Sequence, residues 1–178
     1  KRKINISNLT TPDPVTLNKQ LNHISKKNCK KIIIEASSIG LDQNRLHPIK
    51  FDKVAFSNLS RDHLDYHKNF LNYKKAKSIL FTHHTKNNSI AVLNTDDKYS
   101  NFFFKICKKK KLKILDYGKS GKFIKFFSFK KKDDGFEYCV HFKNEKRKVF
   151  TNAISEYEIY NKICSLIIVF GESLALNK

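Results

Sequence analysis

The densest run of chemically capable side chains is Ser57-Asn58-Leu59-Ser60-Arg61-Asp62-His63-Leu64-Asp65-Tyr66-His67, and a shorter cluster, Glu35-Ala36-Ser37-Ser38, lies upstream of it. Each follows an apolar stretch of strand character. In open α/β sheets ligands bind in the crevice beyond the carboxyl ends of the strands, so the two clusters would deliver a carboxylate, hydroxyls, an imidazole and further acids toward one crevice. Hard oxygen ligands of that kind suit magnesium, and the hydroxyl and imidazole donors suit an anionic substrate. Taken singly, each residue also has a structural use: Asp62 as a turn cap, His63 as a satisfied interior histidine, Glu35 as the partner of a nearby lysine.

The elements that must position these clusters show in the periodicity. Asp13 followed by Pro14 marks a helix start, and Val15, Leu17, Leu21 and Ile24 continue it as an amphipathic helix over residues 14–27. Lys31–Glu35 is a β-branched run without polar alternation, the pattern of a strand buried on both faces of a parallel sheet, and Val54–Ser57 is a second. Phe70, Tyr73, Ala76, Ile79 and Leu80 predict a helix between Asn69 and His84. Strands follow at Ile90–Leu93 and Lys113–Tyr117, the latter closed by Gly118, with a helix over Asp97–Lys108 between them. This alternation predicts an α/β fold with a mainly parallel sheet flanked by helices. From Lys122 the texture changes. Phe123–Phe129, a turn at Asp133-Asp134-Gly135, Phe136–Phe142 and a third strand at Lys148–Asn152 predict a small antiparallel β section over residues 122–152, before a helix at Glu156–Phe170.

Composition narrows the function classes. The chain has 178 residues, enough for one domain with a core, and its 40% hydrophobic content with 3 prolines and 5 glycines excludes collagen-like, mucin-like and disordered chains. Lys+Arg number 36 against 16 acids, a net charge of +20, yet arginine occurs only at Arg2, Arg45, Arg61 and Arg147. A surplus of lysine, asparagine, isoleucine and phenylalanine is what an AT-rich genome writes, a source of charge unrelated to any partner. Cys29, Cys107, Cys139 and Cys164 have no zinc or redox spacing and read as reduced, buried thiols of a cytoplasmic protein. The longest apolar run, Leu166–Phe170, falls far short of the ~18 residues that span a bilayer. The chain contains no methionine, even at position 1, which leads us to expect a piece of a longer protein.

Five motifs occur in one order: Thr10-Thr11-Pro12-Asp13, Glu35–Arg45, Phe56–His67, Tyr73-Lys74-Lys75-Ala76-Lys77 and Asn94-Thr95-Asp96-Asp97. In this respect residues 9–97 resemble the central, ATP-binding domain of the Mur ligases. The resemblance implies a partial central domain over residues 1–178 of an ATP-dependent amide ligase, active in the cytoplasm as a monomer. The branch it is most similar to adds meso-diaminopimelate or L-lysine to UDP-N-acetylmuramoyl-L-alanyl-D-glutamate, a step of peptidoglycan precursor synthesis, through an acyl phosphate. Carried over by motif, Thr10, Thr11, Ser37, Gln43 and Arg45 contact the UDP-muramoyl-dipeptide, Glu35, His63 and Lys77 form the Mg2+ site, and Lys77 is carbamylated to N6-carboxylysine. Such a lysine must first lose its proton, because an ammonium neither attacks carbon dioxide nor tolerates magnesium nearby.

The pattern also departs from the family. Ile39 stands where histidine is usual, and Leu9 where asparagine is. Ser155–Asn161 resembles the segment near the adenine, with Ser155 replacing glycine and Glu158 replacing an amide, which leaves Asn161 as its nucleotide contact. Gly118-Lys119-Ser120 does not make a phosphate loop, because Lys113 stands where the first glycine is required. With the glycine-rich phosphate loop and the amino-acid-selecting domain outside it, the isolated chain is expected to be inactive. The rival reading is a basic nucleic-acid module, carried by the aromatic, lysine-interleaved Lys122–Lys130. Titration with labelled single-stranded DNA separates the two: we expect weak binding that disappears by about 200 mM salt, whereas sub-micromolar binding at that salt supports the rival.

Overall fold

A computed structural model describes residues 9–174, and the chain divides into two compact units, one built from residues up to 50 together with 61–84, the other from 51–60 together with 85 onward.

The first unit is helical. α1 (Pro14–Ser25) starts where expected, because the Asp13 carboxylate accepts the N–H groups of Val15 and Thr16 at 3.0 Å and Pro14 occupies the first turn. Its buried contact is Leu17. α2 (Ser38–Asp42) and α3 (Leu64–His67) are single turns, and α4 (Phe70–His83) is capped by the Asn69 side chain, which accepts the Asn72 N–H at 2.9 Å. α4 buries Tyr73, Ala76 and Phe81 and packs against α2. One expectation is corrected here. Lys31–Glu35 is not a strand but irregular chain, with Ile33 74% exposed and Glu35 also exposed. None of the described strands pairs with it, and β-branched propensity without a ladder to join does not make a strand.

The second unit is one six-stranded sheet in the order β1 (Phe51–Phe56), β2 (Thr85–Asn94), β3 (Lys113–Gly118), β4 (Ile124–Lys132), β5 (Gly135–Phe142), β6 (Glu145–Thr151). β1 to β4 run parallel and β4 to β6 antiparallel. Ala91, Val92 and Leu93 of β2 are all fully buried, the continuous apolar pattern of a parallel strand covered on both faces. α5 (Ser100–Lys109) buries Phe103 and Cys107, and α6 (Glu156–Phe170) buries Ile159, Ile163 and Ile167, a stripe at four-residue spacing. Of the four cysteines expected to be buried, Cys107 and Cys164 are, whereas Cys139 is half-buried and Cys29, on the irregular chain after α1, is exposed.

The aromatics of β4 do not stand in solvent. Phe126 is fully buried against Tyr117, Phe129 and Tyr160, and Phe129 stacks on Tyr138 at 5.6 Å. Side chains so committed to the core are not free to stack bases, which removes the main support of the nucleic-acid reading. β6 begins at Glu145, earlier than the third strand expected at Lys148, because its charged residues face solvent on an edge strand and hide the apolar alternation. Lys143-Asn144 before it both have positive φ, the hairpin turn whose twist matches the strands. Gly135 at the preceding turn has φ +154°, and a Cβ there would meet the Thr151 carbonyl oxygen at 2.1 Å. No helix of the described residues is long and apolar enough to cross a membrane.

Two outcomes follow. Phe126→Ala should cost about 3–5 kcal/mol in denaturant unfolding, while Phe150→Ala on the exposed face should stay within about 0.5 kcal/mol. His84, buried with Nδ1 on the Ile49 carbonyl at 2.9 Å, has its pKa lowered by burial. The unfolded chain therefore binds the extra proton first, so stability should fall as pH drops below about 6.5, and His84→Gln should flatten that slope in pH-dependent thermal unfolding.

Candidate functional site

The candidate residues of the first unit fall into two groups, each held by its own local geometry. The first is organised around Thr11, whose side chain is fully buried. Its hydroxyl donates to the Glu35 carbonyl at 2.8 Å and accepts the Ser37 N–H at 2.9 Å. Ser37 caps α2 by accepting the Gly40 N–H at 3.1 Å. Gly40 is required by contact rather than by backbone angle: a Cβ there would lie 2.7 Å from Thr11 Cβ and 2.9 Å from Ser37 Oγ. Arg45 closes the lattice, donating from Nη1 to the Thr11 carbonyl at 2.9 Å and from Nε and Nη2 to Gln43 Oε1 at 2.9 and 2.5 Å. Thr11, Ser37, Gln43 and Arg45 are thus brought together, and Arg45 keeps donors beyond these bonds for an anion. Thr10 is exposed beside them.

The second group surrounds Lys77. Its amine is half-buried on α4, and no hydrogen bond or ion pair reaches it among the described residues. Burial pulls its pKa below the ordinary lysine range, while the carboxylates of Glu35 and Asp62 act on it electrostatically and pull partly back. Glu35 therefore lies within electrostatic reach of Lys77, although it is not delivered by a strand end as expected. His63 sits just before α3 with φ +53°, a left-handed conformation unusual for a residue with a side chain. Its N–H donates to Asp62 Oδ1 at 2.8 Å, and its Nε2 lies 3.5 Å from Asp62 Oδ2. No group of three or more His, Cys, Asp and Glu side chains is arranged as a metal site among the described residues. Within the expected set of Glu35, His63 and Lys77, the third member is an amine, and the donor chemistry would suit a divalent ion only with that amine converted to a carboxylate.

Asn161 belongs to the second unit, exposed on α6 beside a cavity lined also by Glu158, Lys162, Ser165 and Leu166. The Glu158 departure has a local explanation there. Its carboxylate accepts the Ile154 N–H at 2.8 Å and pairs with Lys162 at 3.2 Å, close to a capping box at the start of α6. The Gly118-Lys119-Ser120 turn is filled by the chain itself, with the Lys119 N–H on Asp96 Oδ2 at 2.6 Å. Sequence reasoning passed over Asp42 and His67. Tyr66 donates to Asp42 Oδ2 at 3.0 Å, and the buried His67 ring bonds Ser38 Oγ at 3.0 Å. The available signal was the four-residue separation of Ser38 and Asp42, one face of a helix, facing adjacent polar aromatic residues.

Comparison with known proteins agrees with the fold. The family model described as the Mur ligase middle domain matches residues 1–169. The UDP-N-acetylmuramoyl-L-alanyl-D-glutamate--2,6-diaminopimelate ligase of Aquifex aeolicus is 36% identical over 159 residues, covering 89% of this chain and 32% of that protein. A ligase of the same name, numbered 1, from Clostridium acetobutylicum is 32% identical over 173 residues, covering 97% and 34%. The chain thus spans about a third of the length of these curated relatives. A solved structure of a UDP-N-acetylmuramoyl-L-alanyl-D-glutamate--2,6-diaminopimelate ligase superimposes with TM-score 0.82 at 28% identity, over 97% of this chain and 36% of that one. A MurF ligase of Thermotoga maritima solved with ADP shares the fold at TM-score 0.58 and 15% identity, over 72% of this chain and 29% of that one. The buried Thr11 lattice, the desolvated Lys77 and a parallel sheet continued by an antiparallel section are the local physics of a sequence that, by these matches, belongs to the Mur ligase family as its middle domain.

Proposed function

We propose that this chain is the central part of an ATP-dependent ligase that joins an amino acid to the D-glutamate of UDP-N-acetylmuramoyl-L-alanyl-D-glutamate in peptidoglycan precursor synthesis, working in the cytoplasm as a monomer. The names of the relatives favour 2,6-diaminopimelate over L-lysine as the added amine. The observation that carries the reading is the state of Lys77: an amine desolvated on a helix, near two carboxylates yet in no ion pair.

On this reading Lys77 loses its proton and its Nζ attacks carbon dioxide, giving N6-carboxylysine and releasing one proton. The side chain changes from a cation to a carboxylate, and with Glu35 and His63 it would hold Mg2+. That ion would supply charge neutralisation for moving the γ-phosphoryl group of ATP to the D-glutamate carboxylate. The chain's own groups do the rest. Asp62 accepts the His63 backbone N–H at Oδ1, and its Oδ2 lies 3.5 Å from Nε2 of the ring. Thr10, Ser37, Gln43 and Arg45 hold the UDP-muramoyl-dipeptide while the buried Thr11 fixes their segment from within, and the guanidinium, pinned on the Thr11 carbonyl and Gln43, offers its remaining donors to an oxyanion. Asn161 meets the nucleotide. The product is an amide once the amine displaces phosphate from the acyl phosphate.

Two measurements on the complete enzyme test this. Lys77→Ala should abolish turnover, with partial recovery on adding short-chain carboxylates, and carbon-13 bicarbonate should give a carbamate signal in the wild type that this variant lacks; undiminished turnover would reject the role. Arg45→Lys should raise KM for the UDP-muramoyl-dipeptide about tenfold, the effect of losing about 1.4 kcal/mol of a forked contact.

A further inference from the structure

α2 is five residues long and cannot hold itself in place, since a single helical turn is unstable alone. Its position is set by what grips it. The Thr11 lattice holds one side, α4 packs against the helix, and the last two residues of α3 add side-chain hydrogen bonds at its two ends. Tyr66 bonds Asp42 at the end of α2 and His67 bonds Ser38 at its start, so a dipeptide of α3 reads the two positions, four apart, that share a face of α2. The grip is dry at the histidine end: Ser38 is 1% exposed and His67 4%, with the imidazole flanked by Tyr66 at 4.8 Å and by Tyr73 of α4 at 5.4 Å. Removing one partner of such a buried pair leaves the other unsatisfied. Burial lowers the His67 pKa, which keeps the ring neutral and able to serve either as donor or as acceptor for the Ser38 hydroxyl.

The clamp lies between the two groups of candidate residues. Ser37 immediately precedes α2 and Gln43 immediately follows it, while His63 immediately precedes α3. α3 is itself bracketed by positive φ at His63 (+53°) and Lys68 (+68°), conformations that persist only where the surroundings over-determine them. We propose that Tyr66 and His67 are positioning residues that tie the substrate-contact segment on α2 to the cation segment beginning at His63, so that binding of the UDP-muramoyl-dipeptide and binding of Mg2+ strengthen each other through this clamp. The inference rests on the functional reading above and adds to it a source of coupling that neither ligand contacts directly.

Calorimetric titration of the complete enzyme with UDP-N-acetylmuramoyl-L-alanyl-D-glutamate, without ATP, at zero and at saturating Mg2+, reads the coupling as a ratio of dissociation constants, and the reverse titration must return the same ratio. We expect a ratio of about five or more in the wild type, the lower end of ordinary coupling between sites. His67→Ala and Tyr66→Phe should bring it toward one with less than twofold change in cation-free affinity, and His67→Gln, which keeps a hydrogen-bonding group within reach of Ser38, should restore most of it. A merely structural role would lower the thermal midpoint and leave the ratio alone, and that result overturns the proposal, as does a wild type that binds both ligands without coupling. If His67→Ala does not fold, Ser38→Ala and Tyr66→Phe carry the same comparison. A wild type that fails to bind the dipeptide at all rejects the ligase reading itself, a distinct outcome.

Discussion

The Thr11 side chain is the constraint on which the candidate substrate segment depends. One buried hydroxyl donates to the Glu35 carbonyl and accepts from the Ser37 N–H, while the carbonyl of the same residue receives Arg45. Residues far apart in the chain are fixed by a threonine packed so closely on Gly40 that a Cβ there would lie 2.7 Å from its own. A serine would keep the hydrogen bonds but lose the methyl that fills this contact, and a valine would keep the shape but orphan a carbonyl and an N–H. The residue type is determined by both demands at once.

The electrostatic balance around Lys77 is of a different kind. In water an ammonium is strongly favoured, and the nearby carboxylates of Glu35 and Asp62 favour it too, yet burial is the largest influence and acts against it. Lys77 lies four residues after the buried Tyr73 and next to the buried Ala76, on the part of α4 that is turned toward its neighbours.

The sheet of the second unit is held by more ordinary means. Fully buried aliphatic residues on β2, the Ile159-Ile163-Ile167 stripe of α6 and the aromatic cluster around Phe126 exclude water, and the lysines that dominate the composition are concentrated at element ends and on the β6 edge. The high net charge is therefore compatible with an ordinary water-excluding core, because nearly all the described lysines are exposed.

Features that depend on neighbours along the chain are legible in the residues alone: Asp13-Pro14 capping α1, the helices at Phe70–His83 and Glu156–Phe170, the Asp133-Asp134-Gly135 turn, the parallel strands recognisable by unbroken apolar runs, and the ordered motifs that mark the family. Lys31–Glu35 shows the limit of that legibility, since a strand needs a partner and periodicity contains no information about one. Glu145–Lys148 shows it in reverse, a strand whose charged residues conceal it because an edge faces water. In the site, the letters of Glu35, His63 and Lys77 were readable, but the depressed pKa of Lys77 and the grip of Tyr66 and His67 on α2 were not. Burial and hydrogen bonding between distant segments are properties of the packed chain, and only tertiary structure decides which of many lysines loses its water and which of several histidines finds a buried hydroxyl.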